Sequence, residues 1–165
     1  MTEYNLPGQV AGNLDPNLSI RKLSMREHNR VLAELRYFWI SQAPLMKPHH
    51  HALFSLLYSD FSFVLYQGAQ IVAYVYAAHN STRGFVHILA TRAGHYRKGY
   101  ASLLLDHLEF VAREKNLQSL WAYCLPENLA SRGFFESSGY KMQKEIAIST
   151  DEKRILYKKS IKTIK

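Results

Sequence analysis

The sequence has almost no cysteine and no long apolar run, and each shortage excludes a class of protein. Cys124 is the only cysteine among the 165 residues, so no internal disulfide can form and we expect a reducing compartment, the cytoplasm. Charged residues or histidines interrupt every apolar run well short of the about 20 residues that a membrane-spanning helix needs. The N-terminus has no basic segment followed by an apolar one, so it does not resemble a signal peptide.

Acidic residues are also scarce. The chain has 13 Asp and Glu against 21 Lys and Arg, a net charge of +8, and much of this excess lies after residue 151. A basic run of this kind is usually a solvated surface. It also attracts polyanions, and a phosphorylated cofactor, a nucleic acid or an acidic protein would all qualify.

The composition that remains is that of one folded domain. Hydrophobic residues make up 47% of the chain and charged residues 21%, as in ordinary globular proteins. The length allows a single hydrophobic core. We assign residues 1–17, which contain prolines and glycines without periodicity, to an N-terminal arm. Residues 18–160 form the predicted domain and 161–165 a basic C-terminal tail.

Hydrophobic periodicity predicts the order β-α-α-β-β-β-α-β-α-β-β. The predicted strands are 18–24, 61–67, 70–79, 84–91, 117–125, 140–148 and 153–160, and the predicted helices are 24–42, 49–59, 98–115 and 128–138. Ser24 and Glu27 form a candidate capping box at the start of the first helix. We expect a mixed α/β fold with one mostly antiparallel central sheet, including a three-stranded meander, flanked by helices.

A basic turn containing glycine joins a strand to the longest helix in the segment LATRAGHYRKGYASLLL, residues 89–105. The first turn of a helix has unpaired amide N–H groups and the positive end of the helix dipole, so it can bind a phosphate or pyrophosphate. Gly99 lets a ligand approach the backbone closely, and Arg97 and Lys98 add positive charge. Taken alone, this turn equally fits a helix start with solvated charges.

A second segment, NLASRGFFESSGYKM at residues 128–142, makes the pattern more specific. The basic-x-Gly-x-Ala turn, followed downstream by Asn, a small residue, an aromatic residue and a Gly-aromatic pair, resembles the GNAT superfamily of N-acetyltransferases. The resemblance covers roughly residues 18–160. It implies a GNAT fold, acetyl-CoA as co-substrate, and transfer of an acetyl group to a primary amine of a small molecule or peptide. A homodimer is possible, whereas membrane or nucleic-acid partners are not expected.

The resemblance also assigns cofactor-binding residues. In the family, a strand offers backbone groups to the pantetheine arm and the thioester, the turn amides bind the pyrophosphate, and a downstream Asn contacts the pantetheine end. The matching residues here are Leu89, Ala90, Thr91, Arg97, Lys98, Gly99, Tyr100, Ala101, Ser102, Asn128, Ser131 and Phe135. Tyr96 stands where the family usually has Gln or Arg.

Two aromatic residues depart from the family's catalytic pattern. Many members carry at the position of Phe135 a Tyr that protonates the departing thiolate, and some place a glutamate at the position of Phe85. His87 lies two residues beyond Phe85 on the same strand face and is our candidate general base. Tyr123 is our candidate replacement for the missing phenol. Packing roles remain the alternative for both His87 and Tyr123.

Other hypotheses remain open. The missing phenol and carboxylate also fit a non-catalytic module of the same fold that binds acyl-CoA. The basic tail alone fits a nucleic-acid-binding protein, although no aromatic RNA-binding motif accompanies it. We expect no metal site at residues 49–51, because adjacent histidines on a helix point in different directions. Cys124 is expected to be a small strand residue rather than a nucleophile. The acceptor is expected to enter between the first two helices, with their loop 43–48, and the two closing strands.

Overall fold

The computed structural model describes residues 15–34, 38, 57–58, 60–150 and 152–162. The strands in these ranges are β1 (Leu18–Lys22), β2 (Phe63–Gln67), β3 (Gln70–His79), β4 (Arg83–Thr91), β5 (Ser119–Cys124), β6 (Lys141–Ala147) and β7 (Lys153–Ser160). The helices are α1 (Met25–Glu34), α2 (Tyr100–Glu114) and α3 (Leu129–Ser137). The predicted helix 49–59 and the loop 43–48 lie almost wholly outside the described residues. Within those residues, no helix has the length and apolar character needed to cross a membrane.

The strands form one sheet in the order β1-β2-β3-β4-β5-β7-β6. Every neighbouring pair is antiparallel except β4 and β5, which are parallel. This arrangement confirms the predicted mixed, mostly antiparallel sheet and its β2-β3-β4 meander. A parallel pair needs a long crossover connection, which α2 provides between β4 and β5.

Side-chain alternation along the central strands builds a core on each side of the sheet. Leu104, Leu105 and Leu108 of α2 belong to the larger core cluster, which also includes Phe135 of α3. Val31 of α1 belongs to a second cluster on the other side, with the tyrosines of β2 and β3. Because both faces are covered, β3 is buried along most of its length rather than on alternate residues only.

The start of α1 contains half of the predicted capping box. The Ser24 Oγ accepts a hydrogen bond from the Glu27 backbone N–H at 3.4 Å. The Glu27 carboxylate accepts a hydrogen bond from the Tyr66 hydroxyl on β2, and Glu27 is buried. The acidic side chain of the motif therefore connects α1 to the sheet.

A β-bulge in β4 creates the opening on which the functional site depends. Val86 pairs with Ala77 and Ile88 pairs with Tyr76, so His87 is the extra residue. The pairing of β4 with β5 ends at Val86 and Ala122, although both strands continue. Bulges bend a strand and increase its twist. The two strands therefore separate beyond this point.

Gly84 on β4 packs where no larger side chain fits. A Cβ atom built there would lie 2.8 Å from ring carbons of Phe61 and would also overlap the side chain of Leu120. We expect Gly84→Ala to lower the free energy of unfolding by about 1–3 kcal/mol, because core side chains must shift. Gly133 in α3 is the control, since a Cβ atom there would meet open space. Gly133→Ala should be neutral or stabilising by up to about 1 kcal/mol. Equal urea-unfolding midpoints for the two variants would contradict this packing.

Candidate active site

A cavity of about 1190 Å³ lies where β4 and β5 separate. It extends from the N-terminal ends of α2 and α3, through the gap in the sheet, to Phe38 and Tyr74 on the side of α1. Its volume exceeds the roughly 300–1,000 Å³ of ordinary small-molecule pockets. The cavity therefore has room for two substrates that meet inside the sheet.

The cavity brings together all but one of the site residues assigned from the sequence. Its lining includes His87, Leu89, Ala90, Thr91, Arg97, Gly99, Tyr100, Ala101, Ser102, Tyr123, Asn128, Ser131 and Phe135. Lys98 is the exception: its side chain is exposed and does not line the cavity. Any effect of Lys98 on an anion in the cavity is therefore screened by solvent.

The start of α2 has the geometry of an anion-binding site. Gly99 is the N-cap, with φ 81°, and supplies no side chain to satisfy the first amides of the helix. The first intrahelical bond runs from the Leu103 N–H to the Gly99 carbonyl at 2.9 Å. Gly94 and Arg97 also have positive φ, of 78° and 61°. Turns that alternate between left- and right-handed residues direct successive N–H groups to one side. The residues present therefore fit a pyrophosphate.

The start of α3 forms the neighbouring wall. The Asn128 Oδ1 accepts a hydrogen bond from the Ser131 N–H at 3.0 Å and caps the helix, leaving its NH₂ group for a ligand. Phe135 is only 6% exposed, and its ring centroid lies 5.7 Å from that of Tyr157. The Tyr157 hydroxyl donates to the Glu136 carboxylate at 2.9 Å. Phe135 thus packs as a core residue beside a hydroxyl that is already engaged.

His87 and Tyr123 face each other at the gap between β4 and β5. Their ring centroids are 6.4 Å apart with nearly perpendicular planes. Burial lowers the pKa of His87 to about 4, so its imidazole is neutral at neutral pH. Burial raises the pKa of the Tyr123 phenol, a shift that the nearby Arg154 guanidinium partly offsets. The cavity therefore presents one neutral proton acceptor and one protonated donor close together.

Two charged residues at this end of the cavity were missed in the sequence analysis. Glu152 and Arg154 line the cavity and pair with each other. The Arg154 guanidinium lies 5.9 Å from the centroid of the Tyr123 ring. Both residues belong to the charged run after residue 151, for which the sequence predicted either a solvated surface or attraction of a polyanion. They reach the site because β7 pairs with β5, with Leu156 opposite Tyr123.

Cys124 also lines the cavity, next to Tyr123. Burial raises the pKa of the Cys124 thiol, which keeps it protonated and unreactive at neutral pH. In the described ranges, no cluster of three or more His, Cys, Asp or Glu could hold a metal ion. The histidines at 49–51 lie outside those ranges.

Comparisons with known proteins agree with an acyl-transfer site. Residues 27–140 match the model of the acetyltransferase (GNAT) family. Among curated proteins, no sequence gives a significant match. The fold is similar to that of Ard1 from Thermoplasma volcanium, with 14% identity, a TM-score of 0.73, and coverage of 88% of this chain and 98% of that chain.

Two further solved structures are similar in fold. The ribosomal-protein-S18-alanine N-acetyltransferase from Escherichia coli has 17% identity and a TM-score of 0.72, with 90% of this chain and 96% of that chain covered. Naa50 from Arabidopsis thaliana, in complex with the bisubstrate analogue CoA-Ac-MVNAL, has 15% identity and a TM-score of 0.71. That match covers 87% of this chain and 99% of the other.

The fold and the cavity together define a coenzyme A-dependent transferase. The chain belongs to the acetyltransferase (GNAT) family, whose model matches well over half of its length. It is therefore an acetyltransferase, with acetyl-CoA as co-substrate. At 14 to 17% identity, these solved structures establish the fold and leave the acceptor open.

Gly99→Ala tests the anion site, with Gly68→Ala as a matched control. Both glycines have positive φ, of 81° and 58°, and a Cβ atom on either would meet nothing within 4 Å. We expect both variants to lose about 1 kcal/mol of stability from backbone strain. Only Gly99 lines the cavity, so calorimetric titration should show CoA affinity reduced about tenfold or more in Gly99→Ala alone. If both variants changed CoA affinity equally, the start of α2 would not be the anion-binding site.

Proposed function

We propose that this acetyltransferase moves the acetyl group to a primary amine of a peptide or small molecule by direct attack of the amine, and that it favours α-amines. The observation that carries the proposal is the pair of neutral His87 and protonated Tyr123 in the gap between β4 and β5. Acetyl-CoA supplies the activated acyl group. The residues of the cavity bind, orient and move protons.

The weak basicity of His87 selects the acceptor. A group with a pKa of about 4 does not remove a proton from a lysine ammonium, whose pKa is about 10.4. The amine must therefore enter already neutral. At pH 7 roughly a tenth of α-amino groups are neutral, compared with about one lysine side chain in two thousand. His87 then accepts the proton that the nitrogen loses once its new bond to carbon forms.

Tyr123 and the charged pair beside it complete the proposed machinery. Because its phenol stays protonated, Tyr123 can donate a proton to the leaving thiolate. Phe135 cannot do so, since its ring has no hydroxyl. The paired Glu152 and Arg154 add no net charge to this end of the cavity, which suits an amine that enters neutral. The E. coli enzyme named for a ribosomal-protein alanine, and the Arabidopsis enzyme bound to a bisubstrate analogue of CoA and MVNAL, support a peptide acceptor.

A second candidate function is a non-catalytic acyl-CoA-binding regulatory module. Phe135 in the cavity wall and Phe85 beside His87 favour it, since neither can transfer a proton. This hypothesis predicts binding of CoA without turnover of any amine. The two candidates therefore differ in a single measurable property.

Thiol release from acetyl-CoA tests the proposal with paired peptides of one sequence. One peptide has a free α-amine and no lysine, and the other has a blocked N-terminus and one lysine. At pH 7 the free α-amine should react faster on the order of a hundredfold, because far more of it is neutral. Faster reaction of the lysine peptide would contradict the weak-base mechanism. CoA binding without turnover of either peptide or of small amines would favour the regulatory module.

Tyr123→Phe tests the proposed proton donor. We expect kcat to fall by about a hundredfold, within the usual range for loss of general acid catalysis, with CoA affinity unchanged. Tyr140→Phe is the matched control, because it also removes only a hydroxyl but Tyr140 does not line the cavity. Steady-state kinetics of both variants give the comparison. An unchanged kcat in Tyr123→Phe would show that Tyr123 is not the proton donor.

A further inference from the structure

A second cavity, of about 710 Å³, lies on the sheet beside the main one. Phe85, Trp121 and Leu156 supply aromatic and apolar surface to its wall, and Arg83 and Lys144 supply positive charge. The residues described along this wall include no aspartate or glutamate. The cavity thus combines an apolar floor with a basic rim.

Strand register explains why these side chains meet. Phe85 pairs with Trp121 across the parallel β4–β5 pair, and Trp121 pairs with Lys158 of β7. Paired residues place their side chains on the same face of a sheet. The Trp121 indole is held by a hydrogen bond from its Nε1 to the Ser119 Oγ at 3.0 Å. The ring is therefore a fixed surface between two cationic side chains.

Both neighbouring cations are close to the indole ring. The Lys158 Nζ lies 5.3 Å and the Arg83 guanidinium carbon 5.8 Å from its centroid. None of the salt bridges found within the described part of the chain involves Arg83, Lys144 or Lys158. The Asp60 carboxylate approaches His79 of the cavity wall at 3.5 Å, but it also pairs with Lys115. A ligand carboxylate would supply the missing negative charge.

The floor of this cavity continues into the active site. The Phe85 ring centroid lies 4.8 Å from that of His87 and 5.5 Å from that of Tyr123. Leu89, where the family pattern places the thioester, lies four positions after Phe85 on β4. At about 3.3 Å per residue this distance is at most roughly 13 Å, since the bulge at His87 shortens the strand. An extended peptide of about four residues spans it.

We propose that the second cavity is an acceptor subsite for a carboxylate located about four residues from the reacting amine of a peptide. Arg83 and Lys144 bind this carboxylate from the cavity wall, and Lys158 binds it from beside the Trp121 ring. The aromatic floor packs against the apolar part of the residue that carries this carboxylate. The inference rests on the proposed function and narrows it to peptides that are acidic at this distance. A free carboxyl terminus or an acidic side chain would provide the same chemistry.

Binding of blocked peptides tests the subsite without turnover. Two N-acetylated peptides of one sequence, with glutamate or glutamine at the fourth position, are titrated calorimetrically into the protein saturated with CoA. We expect the glutamate peptide to bind about fivefold more tightly at low salt, the effect of a few partly exposed charge pairs. Added salt should reduce this preference, because exposed charges are screened.

The double variant Arg83→Gln/Lys158→Gln should bind both peptides equally. Arg113→Gln is the control, since it removes a positive charge on α2 and leaves its partner Glu109 paired with Lys159. This control should keep the fivefold preference. With the same peptides carrying free α-amines, the double variant should raise KM for the glutamate peptide and leave kcat unchanged, as expected for loss of uniform binding.

Two results would overturn the subsite. One is equal affinity of wild-type protein for the glutamate and glutamine peptides. The other is a double variant that keeps its preference for the glutamate peptide but changes its oligomeric state in sedimentation experiments. That result would identify this face as a contact between copies of the chain. The blocked peptides cannot be acetylated, so their binding tests the subsite alone. Failure of the proposed function would be seen separately, as absence of acetylation of the peptides with free α-amines.

Discussion

The early end of the β4–β5 pairing is the constraint on which the rest of this structure depends. The strands are hydrogen-bonded only as far as Val86 and Ala122, and the bulge at His87 turns β4 away. A continuous ladder would close the sheet and leave no passage between its faces. Because pairing stops, backbone and side chains of both strands line a cavity inside the sheet. The helix that connects the two strands begins at this same opening.

This topology gives the two ends of one cavity different electrostatic environments. The first turns of α2 and α3 direct amide groups and positive dipole ends towards it, which suits the phosphates of coenzyme A. At the other end, the β6–β7 hairpin contributes Glu152. The pairing of Glu152 with Arg154 leaves no net charge at this second end. The two substrates meet where β4 and β5 separate.

Burial, rather than a strong acid or base, sets the chemistry of the gap. Desolvation keeps His87 neutral and Tyr123 protonated, and the neighbouring rings of Phe85 and Phe135 carry no ionisable group. A site of this kind contains a weak base and a weak acid. Under the proposed function, the acceptor must therefore enter as a neutral amine. This makes the selection of the acceptor a question of amine pKa and of contacts beyond the amine.

The sequence by itself determined the elements in the described ranges and the basic turn that contains Gly99, because both follow from local chemistry. Apolar periodicity predicted the seven strands and the helices α2 and α3, and Gly99 after two basic residues marked the start of α2. Only the tertiary structure decided the bulge at His87, the arrival of Glu152 and Arg154 at the cavity, and the exclusion of Lys98 from it. These features arise from pairing between strands that are distant in the sequence and from the direction in which side chains point from the turn before α2. Neither strand pairing nor side-chain direction can be recognised in the local pattern of residues.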